Sequence, residues 1–296
     1  GSRLPNLTFE IAAATATTDP VCLGTTSASI SQLSTTVKNG TMLPIVLQSN
    51  GSSVQKVLMG GIVPNGSTAT FITAEVDVTG DAPELISSVT SSSFSIYAPP
   101  SDCGWALAPD GRFVVFYVQS SLTVSHAFAV YDTESHTFGS IITASVSQSA
   151  SPKQIAWVDA QHFVIDDVVS AVRGLRTFAR AGLGLVDLGF TGLWGINSST
   201  LTKPFYGAQF TPYADGLLAY NYVTSSATLQ ARTVVWRNNA LSLGTAYTVA
   251  SGLSLGSGSG PHARFIKTAS GEWTLVYGTV LYFCLMSFEP SATAAT

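Results

Sequence analysis

The stretch Trp105-Ala-Leu-Ala-Pro-Asp-Gly-Arg-Phe-Val-Val-Phe-Tyr117 decides the reading of this chain. It holds a short apolar run, a polar turn centred on Asp110-Gly111, and a second apolar run rich in Val and Phe. Asp-Gly favours a tight reversal because both residues tolerate positive φ, and the flanking runs have strand composition. The segment therefore reads as a β-hairpin.

The hairpin recurs. Ala208-Gln-Phe-Thr-Pro-Tyr-Ala-Asp-Gly-Leu-Leu-Ala-Tyr220 and Ala263-Arg-Phe-Ile-Lys-Thr-Ala-Ser-Gly-Glu-Trp-Thr-Leu-Val-Tyr277 follow the same plan. Gln154–Ile165 repeats it around Asp159-Ala160, and Pro44–Met59 more loosely around Asn50-Gly51. Phe113, Phe163, Leu217 and Trp273 share one position of the pattern, at separations of 50, 54 and 56 residues. A second half follows each unit. Val130–Gly139 resembles Val235–Gly244, and Leu185–Gly195 resembles both; these read as a third strand, a turn and a fourth strand. Val168–Gly184 reads as an insertion that breaks the strand pattern.

Four short strands in some fifty residues is the size of one propeller blade, and units with two apolar faces must stack in series to bury them. The expected fold is all-β: a single β-propeller of about five four-stranded blades. A β-sandwich uses the same strands and turns and is the alternative. Blades occupy 44–289. The fifth unit supplies only three strands, Arg264–Ile266, Trp273–Tyr277 and Leu281–Phe288. The isolated strand Leu7–Ile11, within an N-terminal segment 1–17, is expected to pair with Leu281–Phe288 and close the ring, which removes a sheet edge. Residues 18–43 are a connector or part of a sixth blade, and 290–296 a disordered tail.

Composition narrows the functional classes. Charged residues make up 10% of the 296, where about 25% is usual, and the net charge is −4. Nothing globally basic points to nucleic acid. The longest apolar stretch, Leu275–Phe288, is too short to span a bilayer and reads as core strands, so no membrane insertion is expected. Cys22, Cys103 and Cys284 give neither a disulfide framework nor metal-ligand spacing. No cofactor or metal is expected. No secretory signal pattern opens the chain.

Five polar residues stand out as candidate binding groups. Arg173, Arg176 and Arg180 crowd into eight positions; on a helix they would share one face and form an anion site for phosphate or acidic glycan. The alternative is a solvated face or a salt-bridge strip. Asp166 and Asp167, with Asp159, could hold a cation or carbohydrate at a blade edge, although a solvated turn is the simpler reading. Gly252-Leu-Ser-Leu-Gly256 matches the nucleophile-elbow pattern but runs into a Gly/Ser loop instead of a helix, so no catalytic residue is assigned. The five tryptophans fall on expected core strands.

Ala108-Pro-Asp-Gly-Arg-Phe-Val-Val-Phe116 resembles the Pro-Asp-Gly hairpin of WD-like and TolB-like propeller blades, without the Gly-His and Trp-Asp pairs of WD repeats. Leu4-Pro-Asn-Leu-Thr-Phe-Glu-Ile11 resembles a segment of some tailed-phage tail proteins. That second resemblance implies a non-catalytic structural protein of the virion tail, with tail subunits and a host-surface glycan or protein as partners. A secreted or surface glycan-binding propeller is the alternative. A propeller hydrolase with convergent Asp159, Asp166 or Asp187 ranks below both.

Overall fold

The structure is a computed structural model that describes residues 45–49, 54–80, 83–96, 103–120, 125–146, 155–169, 172–197, 209–214, 217–223, 228–251, 262–267, 273–279 and 282–288. Leu7–Ile11, Thr18–Lys38, Gly252–Gly256 and Pro290–Thr296 lie outside them. Among the described residues all regular structure is β, in five antiparallel sheets that follow one another along the chain.

Sheet 1 contains β1 (Ile45–Ser49), β2 (Val54–Asn65), β3 (Thr68–Asp77), β4 (Glu84–Thr90) and the short β5 (Phe94–Ser95), which pairs with β3. Sheet 2 contains β6 (Cys103–Leu107), β7 (Phe113–Gln119), β8 (His126–Asp132), β9 (Thr137–Phe138) and β10 (Ile142–Ala144). Sheet 3 is the meander β11 (Ile155–Trp157), β12 (His162–Val169), β13 (Val172–Ala181) and β14 (Gly184–Asn197). Sheet 4 contains β15 (Gln209–Ala214), β16 (Leu217–Val223), β17 (Leu229–Arg237), β18 (Ala240–Leu243) and β19 (Tyr247–Ala250). Sheet 5 has three strands, β20 (His262–Lys267), β21 (Trp273–Thr279) and β22 (Tyr282–Phe288).

Phe113, Leu217 and Trp273 open the second strand of their sheet and Phe163 is the second residue of its own, as the repeat requires. Short side chains make the turns. Asp110 accepts from the Arg112 amide at 3.0 Å, and Asp159 from the Gln161 and His162 amides at 2.7 Å each. These Asx turns hold the first hairpin of sheets 2 and 3. Gly111 takes φ 73°, a conformation that disfavours any side chain.

The first four sheets are joined by three cores, which take up both faces of sheets 2 and 3. All seven residues of β7 are buried. Val114, Phe116 and Val118 pack against Leu58 and Phe71 of sheet 1. The alternate residues Phe113, Val115 and Tyr117 pack against Trp157 and Phe163 of sheet 3. The period of two sends neighbouring side chains to opposite faces, so one strand feeds two cores. Sheet 3 does the same: Phe163 and Ile165 face sheet 2, while Ala156 and Val164 face Val234 and Trp236 of sheet 4. The first strands are also neighbours in succession: β6 meets β11, β11 meets β15, and β15 meets β20. The arrangement is propeller-like.

Two local expectations are corrected in sheet 3. Val168–Gly184 is neither an insertion nor a helix; it spans the end of β12, β13 and a turn in which Gly182 has φ 61°. Leu185–Gly195 is not two strands with a turn but part of the single strand β14. The cause is a substitution of chemistry on one face. Sheet 2 pairs Tyr117 with Phe128 and Val115 with Val130. Sheet 3 pairs Asp167 with Gly174 and Ile165 with Arg176. Polar residues at core positions hide the apolar alternation on which strand recognition depends.

Candidate functional site

Because β13 is a strand, the spacing of its arginines has a different meaning from the helical one. Arg176 and Arg180 share the face directed at sheet 2, with Phe178 between them. Arg173 stands in register with Val168 at an alternate position of the strand, and its side chain lies outside the described residues. Asp166 and Asp167 are not in a solvated turn either. Both lie inside β12 and are buried, on opposite faces of the sheet. The five candidate residues are thus divided by the strand period.

Arg176 and Asp167 come together. The Arg176 Nε donates to Asp167 Oδ2 at 2.8 Å, and Nη1 donates to Asp187 Oδ2 at 2.9 Å. The Asp167 side chain is fully buried. Asp187 is held in turn by the Gly189 amide at 2.9 Å, beside a register shift in the β13–β14 pairing. Burial pulls the Arg176 guanidinium down, but the two carboxylates outweigh it and hold its pKa above the ordinary value. With two carboxylates against one guanidinium, the group acts as an ion-paired strut and not as a receptor for an anion.

Arg180 clamps sheet 3 to sheet 2. Its guanidinium carbon sits 3.5 Å from the centroid of the Phe113 ring, a cation–π contact. Its terminal nitrogens donate to the carbonyls of Ala160 at 3.0 Å and Gly182 at 3.1 Å, and stand 3.7 Å from Asp110. Burial pushes its pKa down, partly offset by Asp110. Arg112 lies over the same Phe113 ring, with its guanidinium carbon 4.9 Å from the centroid, and forks onto Asp132 at 2.8 and 2.9 Å.

A second polar cluster, between sheets 1 and 2, was missed from sequence. Glu75 lies within β3 and is buried, with Lys56 3.6 Å away. His136, in the β8–β9 turn at φ 53°, brings Nδ1 to 3.2 Å from Glu75 Oε2, 3.3 Å from Ser87 Oγ and 3.5 Å from Tyr131 Oη. The available signal was a lone acid between Ala74 and Val76 in a strand of core composition. Burial raises the Tyr131 phenol above its ordinary pKa; hydrogen bonds to Ser87 and Thr73 oppose this, and the Glu75 charge adds to it. The set contains Ser, His and Glu, but Ser87 and Glu75 approach the same ring nitrogen. A nucleophilic relay needs the hydroxyl on one imidazole nitrogen and the acid on the other. The cluster therefore has the geometry of a polar seam between sheets.

Two of the tryptophans have structural roles. Trp157 and Trp236 are buried, and Trp157 Nε1 donates to the Ala106 carbonyl at 2.9 Å, tying sheet 3 to β6. Among the described residues no group of three or more His, Cys, Asp or Glu could hold a metal ion, and no helix is long and apolar enough to cross a membrane.

No family model matches the chain, and no curated protein matches it. Solved structures do resemble it. An arginine-to-alanine triple mutant of AofleA from Arthrobotrys oligospora aligns over 83% of this chain and 76% of its own, with 12% identity and a TM-score of 0.46. TolB from Acinetobacter baumannii aligns over 80% of this chain with 11% identity and a TM-score of 0.36. A prolyl endopeptidase aligns over 80% with 11% identity and a TM-score of 0.38. The chain spans 52% of the TolB chain and 36% of the endopeptidase chain.

Proposed function

We propose that this chain is a single closed β-propeller of about five blades whose work is binding, as a non-catalytic structural component of a phage tail or tail tip. The observation that carries the platform reading is the double use of sheets 2 and 3, in which alternate residues of one strand fill two successive cores. A scaffold built this way holds its exposed loops in fixed relation, which suits repeated contact with neighbouring subunits or a host surface. Ring closure is supported from sheet 1. Ile72, Ala74 and Val76 of β3 are buried but stand outside the core shared with sheet 2. Of the polar groups singled out by sequence, Arg176, Asp167 and Arg180 are engaged in struts between strands and sheets.

Placement in a virion rests on the Leu4–Ile11 resemblance and on the low charge of the chain, 10%. The glycan-binding alternative asks for exposed aromatics beside Asp or Asn in several sheets, and the burial of Trp157 and Trp236 weighs against it. Two measurements test the reading. Negative-stain images of the isolated chain should average to a closed ring, and an open arc would refute closure. Gold-labelled antibody to the chain should decorate the tails of phage particles from its source; particles left unlabelled would refute the virion role.

A further inference from the structure

We infer that β14 is a docking edge: the outer side of Gly184–Gly192 accepts an extended, uncharged segment of a partner protein as a fifth strand of sheet 3. Such docking needs neither the closed ring nor the virion role.

Sheets 1, 2 and 4 protect their outer edges by breaking them. The third strand of each pairs outward with two short strands: β4 and β5, β9 and β10, β18 and β19. The longest of these six, β4, has 7 residues. Short edge strands leave no long row of free backbone groups for another chain to pair with. Sheet 3 ends instead in one 14-residue strand, β14, which among the described residues pairs only with β13.

Register shows which backbone groups of β14 face out. The Arg180 amide donates to the Gln161 carbonyl at 2.7 Å, so Arg180 turns its backbone groups toward β12 and away from β14. Opposed residues in an antiparallel pair alternate between bonded and unbonded positions. Leu185 stands opposite Arg180 and therefore directs its own N–H and C=O outward; Asp187, opposite Phe178, does the same. Val186, between them, takes the bonded position with Ala179.

The side chains leave this edge unguarded. Val186 is 52% exposed and Leu188 48%. Edge strands are commonly defended by Lys, Pro or bulges. Gly184–Asn197 contains no Lys, Arg or Pro. One register shift, opposite Thr177 and Phe178, is the single such device between Gly184 and Gly192. Asp187 carries the one charge of the strand, and it is already held by Arg176 Nη1 and the Gly189 amide, each at 2.9 Å.

Charge and size select the occupant. A charged segment would meet no uncompensated charge on β14. An uncharged one gains main-chain hydrogen bonds from Leu185 and Asp187 and covers Val186 and Leu188, as in recognition by strand addition. A stable dimer draws on about 20–30 residues from each side. The 14 residues of β14 fall short of that, which favours a peptide segment over a second copy of the chain.

The test is amide hydrogen exchange, read by NMR on the full chain with and without a peptide of alternating valine and threonine. Without peptide, the Leu185 and Asp187 amides should exchange quickly and the Val186 amide slowly. Saturating peptide should slow Leu185 and Asp187 about tenfold or more and leave Val186 unchanged. Lysines at two exposed positions, Val186→Lys with Leu188→Lys, should weaken binding about tenfold without altering the circular dichroism spectrum. No protection by the peptide, or equal binding of its fully N-methylated form, would overturn strand pairing at this edge. Slow exchange of Leu185 and Asp187 at every protein concentration, before any peptide is added, would overturn the free edge. Protection that grows with protein concentration alone would overturn the peptide occupant in favour of a second copy.

Discussion

Replacing Asp132 with Asn should cost the protein stability in a way that depends on pH with a defined sign. Asp132 ends β8 and accepts four hydrogen bonds, from Arg112 Nε, Arg112 Nη2, the Glu134 amide and the Ser135 hydroxyl, at 2.8 to 3.0 Å. Burial alone would raise its pKa. The Arg112 fork and the two further donors overcome that and hold it at about 2, against an ordinary 3.8. Such a difference corresponds to about 2.5 kcal/mol in favour of the folded carboxylate at neutral pH. Arg112 is 41% exposed, so solvent screens its side of the pair. Roughly half of the total, about 1–1.5 kcal/mol, should survive that screening. The folded pKa lies below the unfolded one. The contribution is therefore complete above about pH 4 and is lost as the pH falls toward about 2. Urea unfolding followed by tryptophan fluorescence at the two ends of this range is the assay. Asp132→Asn should unfold at lower urea than the parent at neutral pH, and the gap should close in acid. A gap that is absent at neutral pH, or equal at both ends, would refute the assignment of this ion pair as a stabilising one.

Three further expectations follow from other parts of the molecule. Arg176→Leu strands the fully buried Asp167 carboxylate and should cost about 3–5 kcal/mol in chemical denaturation; adding Asp167→Asn should recover much of it, because the uncompensated charge is then gone. Phe163→Ala empties a position with no solvent exposure whose ring stacks on Phe178 at 5.1 Å, and should cost about 3–5 kcal/mol by thermal melting, against less than about 0.5 kcal/mol for exposed Tyr247→Ala. Alkaline ultraviolet titration should show the Tyr131 phenol ionising above the ordinary 10.0, and Tyr131→Phe should reduce the late part of the titration.

The repeat was legible because its signals are local. Asp110-Gly111 makes its turn from backbone geometry and an Asx hydrogen bond two residues long, and the Val-Val-Phe run that follows needs only its own composition to be read as a strand. What failed to show was chemistry that crosses strands. Asp167 and Arg176 look like a turn acid and a helical base until β12 and β13 are laid side by side; only then does the pair explain why a core strand carries charges. Glu75 and His136 belong to different sheets, and nothing in either local sequence names the other. Arg180 was legible as a cluster member but not as a clamp, since its partners Phe113, Ala160 and Gly182 come from three separate turns and strands.

The division of β7 between two cores has a mechanical meaning. A strand whose odd residues answer to one neighbour and whose even residues answer to the other cannot relax toward either without loosening its grip on the opposite side. Strain introduced at one sheet is handed to the next, and a pull on an exposed loop is resisted by side chains several sheets away. The first three sheets should then yield together under load, as one elastic body, and sheet 2 cannot be altered singly by evolution without both of its neighbours being refitted.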